Sequence, residues 1–96
     1  MTETADLTAT EALAAIRAGR LTARDYRDAC LDRIAAREGT IRAFAWFDPD
    51  AVRRSACVDG PLAGMPVGVK DVIDTADLPS QYGSPIWAGH RPRSDA

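Results

Sequence analysis

The stretch from Gly60 to Gly68 constrains the fold of this chain most strongly, because glycine and proline occupy five of its nine positions. Glycine reaches backbone conformations that other residues avoid, and proline fixes φ and interrupts regular helices. A segment of this composition is predicted to follow one specific irregular path. The five residues are Gly60, Pro61, Gly64, Pro66 and Gly68.

Two helices are predicted before this stretch. Residues 8–11 have the Thr-x-x-Glu spacing of a capping box, and Gly19 provides a C-terminal stop, which indicates a short first helix. Thr22 opens a second helix that we expect to reach about Arg37, with residues 38–40 as its break. The inward stripe of the second helix is predicted to be Tyr26, Cys30 and Ile34.

Two short strands and a third helix are predicted further along the chain. Residues 41–47 are rich in apolar and aromatic side chains, as in a strand. Asp48-Pro49 is typical of a helix start, so a brief third helix should run toward Ala56. Residues 66–69 form a second short apolar strand. Residues 71–96 contain repeated prolines and glycines and few apolar residues, which predicts a long ordered loop.

Length and composition narrow the possible functions. A chain of 96 residues suffices for one small domain and leaves little room for an enclosed active site. Its net charge of −2 gives no reason to expect a nucleic-acid partner. The acidic N-terminus lacks the apolar centre of a secretory signal, and no apolar run reaches transmembrane length, so we expect a cytoplasmic protein without a membrane partner. Cys30 and Cys57 lack metal-ligand spacing and are expected to be reduced.

Lys70 is the first candidate for chemistry. It is the single lysine in a chain with eleven arginines, and it follows the apolar run Val67-Gly68-Val69. A lysine removed from water can lose its proton and act as a base or nucleophile, whereas arginine stays protonated. The carboxyl end of a strand is also where open α/β sheets bind ligands. The competing interpretation is an ordinary surface charge, as most lysines are.

A sequence pattern surrounds Lys70 and extends beyond it. Its parts are residues 60–71, Ile73-Asp74-Thr75, Tyr82-Gly83-Ser84 and residues 89–92. Together with the two predicted helices at the N-terminus, this pattern closely resembles the amidase signature family. The resemblance implies an α/β fold, namely the amino-terminal part of an α/β/α sandwich with a mixed sheet. Residues 1–96 would be one fragment of a single amidase domain, with residues 1–38 as its helical entry and residues 41–96 as strand, short helix, lysine-motif strand and loop.

The resemblance also implies a role for Lys70. Members of the family hydrolyse amides, or transfer their acyl group, with a Ser-cisSer-Lys triad. Lys70 would be the triad lysine, whose neutral amine takes a proton from a bridging serine that in turn deprotonates the nucleophilic serine. The amine must be uncharged, so we expect Lys70 to be buried. A carboxylate at this amine would favour its charged form, so Asp71 is expected to point away and to bind backbone.

Neither triad serine is present in this chain. No serine stands in a Gly-Ser-Ser-Gly context, so none of Ser55, Ser80, Ser84 and Ser94 is assigned the nucleophile role. We therefore expect an amide hydrolase fragment that is inactive alone, with a small-molecule amide as the substrate of the full-length protein. The alternatives are a non-catalytic truncated relative or partner-binding module, and the front of a tRNA-dependent amidotransferase A subunit. Val72, where that subunit often has asparagine, favours a general amidase.

No cofactor is predicted. His90 is the single histidine and has no second histidine or ordered carboxylate cluster beside it in the sequence, so a metal site is not expected. The glycines of residues 60–68 match neither common phosphate-binding pattern. Asp71, Asp74 and Asp77 are interpreted as turn formers, because the glycine and terminal glutamate of a calcium-binding loop are missing.

Overall fold

A computed structural model describes residues 3–96 of the chain. Helix α1 spans Ala9–Arg17, α2 spans Ala23–Ile41 and α3 spans Pro49–Arg54. Two short 3₁₀ helices lie at Thr4–Asp6 and Pro85–Trp87. No helix in the described part of the chain combines the length and the apolar composition that a membrane crossing requires.

The predicted starts of the first two helices are confirmed. Glu11 N donates to Thr8 Oγ1 over 3.1 Å and Thr8 N donates to Glu11 Oε1 over 2.9 Å, so the capping box of α1 is complete. After α1, Gly19 takes a φ of 76°, the left-handed conformation common just after a helix. At the start of α2, Asp25 N donates to Thr22 Oγ1 over 3.0 Å.

The predicted break of the second helix at residues 38–40 is wrong. α2 continues through Gly39 and ends at Ile41. A glycine inside a helix costs only about 1 kcal/mol, which is too little to stop a helix whose neighbours keep their hydrogen bonds. The helix ends where Arg42 takes a left-handed φ of 53°.

Helix α3 begins as predicted but ends at Arg54, short of Ala56. The Asp48 carboxylate caps it by accepting hydrogen bonds from the backbone N–H groups of residues 50 and 51, both at 3.1 Å. At its other end Ser55 Oγ donates to Ala51 O over 3.1 Å. A serine that bonds back to the preceding turn is typical of a helix terminus.

The two predicted strands, at residues 41–47 and 66–69, do not form within residues 3–96. A strand needs a neighbour that pairs its backbone N–H and C=O groups, and apolar composition alone does not provide one. Val67 and Val69 are 71% and 50% exposed, so this segment also lacks a packing partner within the described chain. The α/β expectation therefore holds here only for its helices and its long loop.

The chain divides into two compact units. The first comprises the described residues up to Ile41 together with Asp48–Pro66, and the second comprises Arg42–Phe47 and Val67–Ala96. In the first unit, the Thr4–Asp6 helix and α3 both contact α2. Three buried residues of this unit are Ala12, Tyr26 and Leu31, and in the second unit Pro92 is buried as well.

The inward stripe of α2 differs in part from the prediction. Tyr26 is buried as expected, whereas Cys30 is half-buried and the neighbouring Arg27 is only 7% exposed. The Arg27 guanidinium donates to Ser55 O over 3.4 Å, and it lies 3.9 Å from Cys57 Sγ. Its aliphatic stem lets an arginine cover apolar surface while its charged end keeps polar partners. Both cysteines are free thiols, as predicted.

Arg33 holds the chain before α1 against α2. Its guanidinium donates to Asp6 Oδ1 over 2.8 Å and to Glu3 Oε2 over 2.7 Å. The hydrogen bond from Arg33, followed by the backbone N–H of Glu3, lowers the pKa of the Asp6 carboxyl below its usual range. The same two carboxylates raise the pKa of Arg33, with Asp6 as the larger cause.

The capping box can be tested by replacing Thr8. Thr8→Ala removes the oxygen that accepts from Glu11 N, and we expect it to lower the free energy of unfolding by about 1 kcal/mol. Urea denaturation followed by circular dichroism measures this loss. The matched control is Thr10→Ala, the same change inside α1, which should be neutral or stabilising because alanine favours helices. Equal losses in the two variants would contradict the cap.

The pairing of Arg33 with Asp6 predicts a pH dependence. Because the pKa of folded Asp6 is lowered, its stabilising contribution is complete above the unfolded value of about 3.9 and is lost as the pH falls through the folded value. NMR titration of the carboxyl carbon should show that Arg33→Gln raises the pKa of Asp6. Arg24→Gln, on the same helix, should leave it unchanged. An identical Asp6 titration in the wild type and in Arg33→Gln would show that the ion pair is absent in solution.

Candidate active site around Lys70

Lys70 lies in the second unit, at the carboxyl end of the apolar segment that was predicted to be a strand. Ile73 N donates to Lys70 O over 3.0 Å, so the chain turns tightly immediately after the lysine. The expected burial of Lys70 is not found, because its side chain is exposed in the described chain. The apolar residues beside it are also exposed, so residues 3–96 do not supply the surroundings that would remove the lysine from water.

A surface cavity of about 310 Å³ borders Lys70. This volume is at the lower end of the range of small-molecule sites. Phe44 and Trp46 contribute aromatic surface to its wall, while Asp71 and Ser80 contribute polar groups. All lining residues belong to the second unit, so this unit alone brings the predicted lysine to a concave surface.

Asp71 behaves as predicted. Its carboxylate accepts hydrogen bonds from Gln81 N over 2.8 Å and from Gly83 N over 3.3 Å. Among the described residues, no ion pair joins this carboxylate to the Lys70 amine. Asp71 therefore organises the backbone of the loop and does not neutralise the adjacent lysine by direct contact.

Ser80 is the most completely buried side chain near Lys70, at 1% exposure, and no sequence pattern indicated that it would be buried. Its hydroxyl donates to Ile73 O over 3.1 Å and accepts from Thr75 N over 3.3 Å. Its backbone N–H donates to His90 O over 2.8 Å. With its side chain and its backbone N–H, this one residue thus joins the chain at residues 73–75 to His90. A Pro-Ser dipeptide in a loop is too common to have indicated it.

An aromatic cluster stabilises the far part of this loop. The ring centroids of Tyr82 and Trp87 are 5.6 Å apart, and those of Trp87 and His90 are 5.0 Å apart, both in edge-to-face arrangements. The Tyr82 hydroxyl donates to the Asp74 carboxylate, and this bond, followed by burial, raises the pKa of Tyr82. His90 therefore has a packing role in the loop, and no metal-binding group of three suitable side chains occurs within residues 3–96.

The other serines of the chain are Ser55, Ser84 and Ser94. Ser84 Oγ accepts from Ile86 N over 3.3 Å at the start of the Pro85–Trp87 helix, in agreement with the expectation that Ser84 serves the shape of the turn. Ser55 caps the end of α3, as described above, and Ser94 is exposed. The hydroxyls of Ser55, Ser80 and Ser84 thus each have a backbone partner.

The role of Ser80 can be tested by Ser80→Ala. This change leaves Ile73 O and Thr75 N without their partner, and we expect it to lower the free energy of local opening by about 1–3 kcal/mol. Hydrogen exchange at the Thr75 and Ser80 amides reports this opening. Ser94→Ala, the same change at an exposed loop position, should alter the exchange rates of these two amides very little. Unchanged protection of Thr75 in Ser80→Ala would contradict the assigned contacts.

Comparison with known proteins identifies the larger group to which this sequence is similar. The family model described as Amidase matches residues 26–96. The A subunit of glutamyl-tRNA(Gln) amidotransferase from Chloroflexus aurantiacus is 46% identical over the whole chain, which covers 22% of that relative. The proteins of the same name from Thermobifida fusca and Salinispora arenicola are 41% and 38% identical over the whole chain, and it covers 21% and 22% of them. The chain thus spans about a fifth of the length of these relatives.

Proposed function

The chain belongs to the amidase signature family, and we propose that it supplies the lysine base of an enzyme that hydrolyses amides or transfers their acyl group. The observation that carries this proposal is the position of Lys70. It lies inside the matched residues 26–96, at the edge of a cavity, and its neighbour Asp71 is turned toward backbone partners. A lysine placed in this way is available to a substrate-binding pocket completed by further residues.

In the proposed mechanism, the neutral amine of Lys70 takes a proton from a bridging serine. That serine in turn takes the proton of the nucleophilic serine, which attacks the amide carbonyl and forms an acyl-enzyme. Both serines belong to residues outside this chain in our proposal. Their part of the protein would also cover Lys70, and loss of water around the amine would favour its uncharged form.

We further propose that residues 1–96 are one part of a single amidase domain and are inactive alone. The exposed apolar side chains of the second unit support this, because Val67, Val72 and Ile86 are 71%, 56% and 89% exposed. Covering these side chains with another part of the protein would be favourable, because apolar surface is stabilised by its removal from water. A cytoplasmic location belongs to the same proposal and agrees with two free thiols.

A second candidate function is that of an amidotransferase A subunit, and the names of the relatives favour it. The relatives described above are all named as the A subunit of glutamyl-tRNA(Gln) amidotransferase, whereas Val72 favoured a general amidase. If the protein is such a subunit, its partners include an aminoacyl-tRNA and further subunits in addition to the small-molecule amide substrate. An activity assay of the full-length protein distinguishes the two functions. A general amidase hydrolyses simple amides without partners, whereas an amidotransferase subunit requires its partners and glutamyl-tRNA(Gln).

The catalytic role of Lys70 is testable in the full-length protein. We expect Lys70→Ala to lower kcat/KM for amide hydrolysis by roughly 10²–10⁴, the usual contribution of a general base. Lys70→Arg should be similarly inactive, because arginine keeps its proton. The control is Arg54→Ala, an exposed cation of α3 in the first unit, which should keep the wild-type value. An active Lys70→Arg variant would exclude Lys70 as the base.

A further inference from the structure

Three consecutive residues of the loop are fixed to the residue that follows Lys70. The Asp71 carboxylate accepts from Gln81 N and Gly83 N, at 2.8 and 3.3 Å, and Asp71 O accepts from Tyr82 N over 3.3 Å. All three contacts span about ten residues of sequence. They therefore join the start of the loop to its middle and are not the internal bonds of a local turn.

The segment held in this way has an uncommon backbone conformation. Tyr82 has a φ of 56° and Gly83 a φ of 68°, and Ser84 N donates to Gln81 O over 3.0 Å. These are the φ signs of a type I′ turn, which a tyrosine seldom enters. Such a conformation is strained and persists where the surroundings overdetermine it, often at functional sites. Asp71 provides these surroundings by binding an N–H on each side of Tyr82.

These contacts also hold the backbone next to Lys70. The backbone after Lys70 is held by the Ile73 N–Lys70 O bond and by the contacts of Asp71, whereas the Lys70 amine donates no hydrogen bond to any residue among 3–96. The backbone therefore fixes the Cα position of Lys70 and the direction of its Cα–Cβ bond, from which the exposed side chain extends. A general base must reach its proton donor at hydrogen-bond distance, so this direction affects the rate.

We propose that Asp71 is a positioning residue for Lys70: by fixing residues 81–83 to the turn after the lysine, it fixes the backbone position from which the Lys70 side chain reaches its proton donor. This inference rests on the proposed function. Asp71 acts through backbone geometry, not as a proton donor or acceptor and not as a counter-ion. Its carboxylate already has two backbone donors, so it is occupied in this structural role.

The test compares variants of the full-length protein in steady-state hydrolysis of a simple amide, or in the complete amidotransferase assay if that is the activity found. Asp71→Asn replaces one acceptor oxygen by a donor and so must lose one of the two clamping bonds. We expect kcat to fall roughly 10²-fold, as for a small misplacement of a catalytic group, with KM little changed. Asp71→Glu keeps both acceptor oxygens and should recover part of this loss. Asp77→Asn, the same change at an exposed position of the loop, should keep the wild-type kcat.

The outcomes separate this inference from the function on which it rests. A wild-type kcat for Asp71→Asn, or a raised KM with unchanged kcat, would overturn the positioning role. Loss of activity that Asp71→Glu does not recover at all, accompanied by a lower unfolding temperature in both variants, would also overturn it, because Asp71 would then serve stability alone. Lys70→Ala is measured in parallel: full activity in that variant rejects the proposed function itself, whereas an inactive Lys70→Ala with a normal Asp71→Asn rejects only the positioning role.

Discussion

The Asp71 carboxylate and the Ser80 hydroxyl replace regular secondary structure in the second unit. Residues 71–96 contain one 3₁₀ helix and otherwise turns, bends and irregular backbone, so most of their backbone groups have no ladder or helix to satisfy them. The two side chains together bind three backbone N–H groups and one carbonyl across gaps of five to twelve residues. The path of the loop, the turn after Lys70 and the cavity beside it all depend on these bonds.

The second unit also leaves most of its large apolar side chains uncovered by the described residues. Among the described apolar residues of this unit, Pro92 is buried. The chain belongs to the amidase signature family and spans about a fifth of the relatives' length. The exposed side chains are therefore those that, in our proposal, another part of the protein covers. Strand formation and burial of Lys70 are both non-local: each needs backbone or side chains that this segment does not contain. The helix caps, in contrast, find their hydrogen-bond partners within three residues of the capping side chain.

Sequence predicted what is encoded within a few residues. The caps at Thr8 and Asp48 were predicted because a capping side chain and its N–H partners lie within three positions of each other. The break at Gly39 was predicted wrongly, because a weak local preference yields to the cooperativity of a long helix. Neither Arg27 nor Ser80 was identified as buried, since their partners are up to thirty residues away and no pattern marks them. Lys70 was singled out by its residue type and by the motif around it, and its surroundings were not predictable from the segment alone.

We propose that Lys70 is the base of a serine-dependent amidase site that residues outside this chain complete. A crystal structure of the full-length protein tests it most directly. If Lys70 is the base, its amine is expected to be buried and to lie about 2.6–3.2 Å from a serine hydroxyl that in turn contacts a second serine. A lysine that still faces solvent there, with no serine hydroxyl within reach, would contradict it.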